Sequence, residues 1–202
     1  MEASPLKELL LQSLEHERGG VKIYQAALQC AVNADLKEEW EKYLEQTQNH
    51  VRVLTEVCTT LQLDPQEQTP GTNIVHRIGG ALVAAIEEAR AGGNPDAAQI
   101  VACECVVLAE TKDHLDWELI GAAAQKLKAA DARVLKDAYE EVEDQEDEHL
   151  YHTKGWCREL WLESLGLKAV LPPPEERKHV KTAIGAAKAP PVALWPRLRG
   201  LS

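Results

Sequence analysis

Four stretches of this chain repeat apolar residues at alternating spacings of four and three, a period that commits each stretch to a helix packed along a seam. The first seam is Leu10, Leu14, Glu17, Val21, Tyr24 and Leu28, in a helix expected from Ser4-Pro5, an N-cap followed by a first-turn proline, to about Ala31. The second is Leu36, Trp40, Tyr43, Thr47, His50, Leu54, Val57 and Leu61, opened by an Asp35/Glu38 capping box. The third, after Asn94-Pro95, is Ile100, Cys103, Val107, Glu110, His114, Trp117 and Gly121. The fourth, between an Asp131 N-cap and a Gly166 stop, is Leu135, Tyr139, Val142, Glu146, His149, Thr153, Trp156 and Leu160. With no Phe and 4% aromatic residues, Ala and Leu carry the core, which favours an all-α fold.

Each seam is polar in its middle, where an apolar residue is expected. The ligand-type residues there are Glu17, His50, Glu110, His114, Glu146 and His149, with Thr47 beside them. Glu146 and His149 form a Glu-x-x-His pair, which a helix places on one face roughly 4.5 Å apart along its axis. The acids around them, Glu141, Glu143, Asp144, Asp147 and Glu148, fall off the seam and read as a solvated face. Short turns near residues 33 and 128 make antiparallel helix pairs, so Glu17 comes level with Thr47 to His50, and Glu110 with Glu146. Gly19 and Gly20 beside Glu17 permit a neighbouring backbone, or a local bulge, to come close.

Breaks at Leu63-Asp64-Pro65 and Thr69-Pro70-Gly71 end the second helix, and an Ala-rich segment over 73–93 reads as a short helix carrying a long crossover to the third. From Pro172 the chain turns Pro-rich and basic. Residues 166–202 hold seven Lys or Arg against two Glu, so the net charge of −11 leaves −16 on the rest. Such a body is a poor partner for nucleic acid and a plausible one for cations. The expected division is a helical bundle over 1–166 and a basic, Pro-rich C-terminal extension over 167–202. Five cysteines without a Cys-x-x-Cys spacing suggest buried free thiols in a reducing, cytoplasmic setting, and neither a membrane span nor an export signal is expected. His16, His152 and His179, off the seams or in the tail, are expected at the surface.

Carboxylates buried near one another repel unless a cation offsets them, and this donor set suits iron or manganese first and zinc second. The layout resembles the ferritin-like superfamily, in which helices one and three each offer a Glu, and helices two and four a Glu-x-x-His, to a dinuclear carboxylate site. The resemblance covers residues 5 to about 165. It implies a ferritin-like four-helix bundle with a long crossover between helices two and three. Glu17, His50, Glu110, Glu146 and His149 match its ligands, and a ferroxidase or peroxide-scavenging oxidoreductase, or metal handling, is the task it suggests. Thr47 departs from it, standing where the second-helix Glu belongs, so one ion or two are both open. His114 is either a further ligand or a core histidine paired with a carboxylate. The absence of a Cys-x-x-Cys iron domain argues against a rubrerythrin-like member, and the Pro-rich tail against a storage cage. The alternative is a non-catalytic helical interaction module with a degenerate or single-ion site. The implied partners are metal ions, with neither nucleic acid nor a membrane among them, and a homo-oligomer stays open.

Overall fold

The computed structural model describes residues 4–127 and 130–177. Those residues form five α-helices and contain no strand: α1 Pro5–Leu28, α2 Ala34–Thr60, α3 Pro70–Ala91, α4 Pro95–Lys126 and α5 Ala130–Ser164, followed by a short 3-10 turn at Pro174–Arg177. Helix α1 packs on α2 and α4, and α5 on α4 and α2, so these four surround one interior. Helix α3 lies in the groove between α1 and α4.

Local chemistry sets the helix boundaries. Asn33, not the expected Asp35/Glu38 box, caps α2: its side chain accepts from the backbone N–H of Asp35 and Leu36, because the helix already begins at Ala34. The crossover is longer than a short helix. Its 22 residues start at a Thr69/Thr72 capping box with Pro70 in the first turn. Asn94 caps α4 through Ala97, whereas the Ser4 side chain makes no cap bond to α1, which ends at Leu28 rather than near residue 31. Gly166, at φ +69°, ends α5 in the left-handed conformation, with the Leu167 N–H donating to the Leu162 carbonyl at 2.8 Å.

The interior has three layers. One apolar cluster gathers Tyr24, Trp40, Tyr43, Ile86, Cys103 and Trp156, and another gathers Leu10, Leu14, Leu54, Trp117, Leu135 and Val142. Each large side chain buried in them stabilises the fold by roughly 1.5–3 kcal/mol. Between them lies a polar layer of Glu17, Thr47, His50, Glu110, Glu146 and His149, all buried. Gly19 and Gly20 do admit close neighbours: a Cβ on Gly79 of α3 would stand 3.6 Å from the Gly19 Cα, and one on Gly20 would stand 3.2 Å from Cγ2 of Thr47.

Past the end of α5, residues 167–177 fold back on that helix. The Val170 N–H donates to Glu159 Oε2 at 2.8 Å, and Arg158 grips Glu175 through two bonds of 2.7 and 3.0 Å. The rest of the extension, including His179 and Trp195-Pro196-Arg197, lies outside the described residues. All five cysteines are free thiols, four buried and Cys157 half-buried. No described helix is long and apolar enough to cross a membrane.

Candidate metal centre

The mid-seam residues of α1, α2, α4 and α5 converge. Glu17, His50 and Glu146 form one group whose donor atoms all lie within 4.8 Å of one another, and Glu110, Glu146 and His149 form a second. Glu146 belongs to both. His50 Nδ1 stands 3.0 Å from Glu146 Oε1 and 3.4 Å from Glu17 Oε1, and His149 Nδ1 stands 3.5 Å from Glu110 Oε2 and 3.6 Å from Glu146 Oε1. The two imidazoles stack with centroids 5.6 Å apart.

These approaches lack hydrogen-bond geometry. Glu17 Oε2, Glu110 Oε2, both Glu146 oxygens and both Nδ1 atoms are buried without a hydrogen-bond partner. Buried polar atoms left without hydrogen bonds cost free energy, and each such set in a folded protein calls for an explanation. Carboxylate oxygens and imidazole nitrogens converge here with no thiol among them, a donor set suited to a divalent metal ion. These side chains could hold such an ion.

The outer edges of the site are held by hydrogen bonds. His50 Nε2 meets Gln145 Oε1 at 2.9 Å, and His149 Nε2 meets Gln46 Oε1 at 2.9 Å. An amide oxygen there accepts from an Nε2–H and so turns Nδ1 of each ring toward the carboxylates. Tyr24 donates its hydroxyl to Glu110 Oε1 and Trp117 its indole N–H to Glu17 Oε1, each at 2.8 Å. The Tyr43 ring lies 4.1 Å from that of His149, and its hydroxyl meets His152 Nδ1 and Glu39.

Electrostatics register the crowding. Burial pushes Glu146 up to about 7, with Glu110 and Glu17 adding to the shift and His50 and His149 opposing it. Burial works against a charged His50, yet the Glu17 and Glu146 carboxylates outweigh it and hold its pKa well above the usual value. Burial also opposes ionisation of Glu110, but His149 and the Tyr24 hydroxyl leave its pKa below the ordinary range. Nearby on α4, burial and then the charges of Glu17, Glu146 and Glu110 push Asp113 well above the carboxylate range.

A cleft of about 310 Å³ opens between α4 and α5, lined by His114, Glu118, Tyr139, Glu143 and Asp147, with Glu146 in its wall. Its mouth is acidic, with Glu118, Glu143 and Asp147 around it. A larger hollow of about 600 Å³, beside Asn94, Trp161 and Glu163, holds none of the converging residues.

Of the residues expected at the site, Glu17, His50, Glu110, Glu146 and His149 are brought together. His114 is not: it is half-buried, bonds Asp147 Oδ1 at 2.8 Å, and takes the role of a carboxylate-paired histidine. His16 and His152, expected at the surface, are buried, His16 against the Ala109 carbonyl and His152 against Glu39 and Tyr43. Gln46 and Gln145 escape the sequence reading; the signal that could have found them is that each stands four residues before one of the converging histidines, Gln46-Thr47-x-x-His50 and Gln145-Glu146-x-x-His149. Asp113, one turn after Glu110, gave no such signal because it lies off the seam.

No family model matches the chain, and neither a curated protein nor a solved structure is similar enough to match it.

Proposed function

We propose that this chain is a ferritin-like four-helix protein that binds iron or manganese between α1, α2, α4 and α5. The observation that carries the reading is the set of buried, partnerless Glu and His donor atoms contributed by all four helices to one layer. Glu17 and His50 would hold one side, Glu110 and His149 the other, and Glu146 would be shared between them. A bound ion of this kind supplies Lewis acidity and, for iron or manganese, one-electron chemistry with oxygen or peroxide. The protein's part is to exclude water, to keep the Nδ1 lone pairs inward through Gln46 and Gln145, and to steady Glu17 and Glu110 through Trp117 and Tyr24. The acidic mouth between α4 and α5 favours the approach of small cations over that of anions.

The test is metal content in protein from an iron- and manganese-replete host, compared with a Glu146→Ala, His149→Ala double variant. Stoichiometric metal that the variant loses supports the reading; metal-free, equally stable protein in both refutes it. Oxidation of added ferrous iron then separates an oxidase from a passive binder. A second reading, a non-catalytic helical module with one structural ion, draws on Thr47, which offers no carboxylate where Glu146 has its counterpart.

A further inference from the structure

Helices α4 and α5 keep one antiparallel register along their length. Gly121 lies against the Tyr139 ring, and eighteen residues back along α4 and eighteen forward along α5 lead to Cys103 and Cys157. The contacts around that level agree. Cys103 Sγ stands 3.8 Å from the Thr153 carbonyl oxygen, one turn before Cys157, and the Trp161 indole N–H, one turn after it, donates to Glu104 Oε1 at 3.0 Å. Cys157 packs against the apolar cluster that contains Cys103, and the two thiols lie within hydrogen-bonding reach of each other.

The members of this pair differ from the other thiols and from each other. Cys30, Cys58 and Cys105 are buried, and burial raises the pKa of all three, Cys58 and Cys105 to about 11. Cys157 is half-buried, and the bond from Cys103 holds its pKa below the usual thiol value against burial and the charge of Glu104. Cys103 is the converse: it is fully buried, and the bond to Cys157, then burial, keeps its proton on sulfur. An accessible, more readily ionised thiol beside a buried one that holds its proton is the layout of an attacking and a resolving cysteine.

We infer that Cys157 and Cys103 are a peroxide-oxidisable dithiol that closes into a reversible disulfide between α5 and α4. The Cys157 thiolate attacks one oxygen of hydrogen peroxide; the O–O bond breaks, leaving a sulfenic acid on Cys157 and releasing hydroxide. The Cys103 sulfur then attacks the Cys157 sulfur and expels a second hydroxide. The two thiol protons convert both hydroxides to water, so two thiols are oxidised and one peroxide is reduced. Thiol–disulfide exchange with a dithiol reductant reverses the bond. No metal ion takes part, and the inference stands apart from the metal-binding reading. Cys103 and Cys157 lie about two turns from Glu110 and His149, so the bond would tie together the two helices that carry one side of the polar layer.

The test is treatment of the folded full-length protein with hydrogen peroxide in the presence of a metal chelator, followed by unfolding in an alkylating agent, digestion and mass spectrometry. The expected result is loss of two of the five thiols, a crosslinked peptide joining Cys103 to Cys157, and return of both thiols on addition of dithiothreitol. Cys103→Ser should still react but stop at a sulfenic acid on Cys157, captured by dimedone, and Cys157→Ser should keep all its remaining thiols at the same exposure. A wild type that keeps all its thiols, or a bond joining any other pair, overturns the inference without recourse to a variant. Thiol loss in a folded Cys157→Ser equal to that of the wild type overturns it as well.

Discussion

Replacing Gln46 by Met tests how the ligand histidines are held. The amide oxygen of Gln46 lies 2.9 Å from His149 Nε2 and its side chain is half-buried, so a thioether of similar length keeps the packing and removes the acceptor. Without it, nothing holds the His149 proton on Nε2, and part of the population protonates Nδ1, the atom that faces Glu110 and Glu146. Loss of such an outer partner weakens metal affinity by about 10–100-fold, or about 1.4–2.8 kcal/mol. The metal-free protein loses one hydrogen bond, worth about 0.5–1.5 kcal/mol. Calorimetric titration with manganous ion reads the first quantity and urea unfolding of the metal-free protein the second. Gln145→Met should weaken the His50 side by a like amount, so the two variants make a matched pair. Unchanged affinity in Gln46→Met, with His149 still needed for binding, would refute the argument that the amide selects the tautomer.

Gly121→Ala should destabilise the fold without touching the ligands, because its Cβ would stand 2.7 Å from the Tyr139 ring. Overpacking of this kind costs about 1–3 kcal/mol, seen as a lower urea midpoint at unchanged slope, and an unmoved midpoint would contradict the close packing of α4 on α5. The strap over residues 167–177 should respond to pH through Glu176. Burial, then Glu39 and Asp35 against a smaller pull from Lys42, raises its pKa from 4.5 to about 8, so the docked strap holds a proton that the released strap gives up. Docking is then favoured in acid, weakens as pH rises from about 4.5 to about 8, and levels off beyond. Hydrogen exchange at 167–177, corrected for its intrinsic pH dependence, should show this in the wild type and not in Glu176→Gln; equal slopes in both would remove Glu176 from the account.

The helices were legible because their seams are long and regular, and the level placement of Glu110 with Glu146 followed from the short turn between their helices. What escaped shares one physical cause. A seam marks a single buried face, whereas α1 and α4 each bury a second one under α3. His16 turns to the Ala109 carbonyl on α4, and Asp116, also off the seam, is buried and paired with Lys112. His152 was misplaced for a related reason, since the returning strap and Glu39 cover that edge of α5. The Ala-rich segment over 73–93 reads only as a short helix, because the Thr69/Thr72 cap that starts α3 at Pro70 sits in what reads as a break; in the fold Gly79 lets α3 settle against Gly19.

Glu146 lies in the wall of the cleft between α4 and α5 and also belongs to both donor groups. A single side chain is thus shared between the two groups and the cleft wall. Removing its carboxylate would take a donor from both groups at once while altering the lining of the cleft.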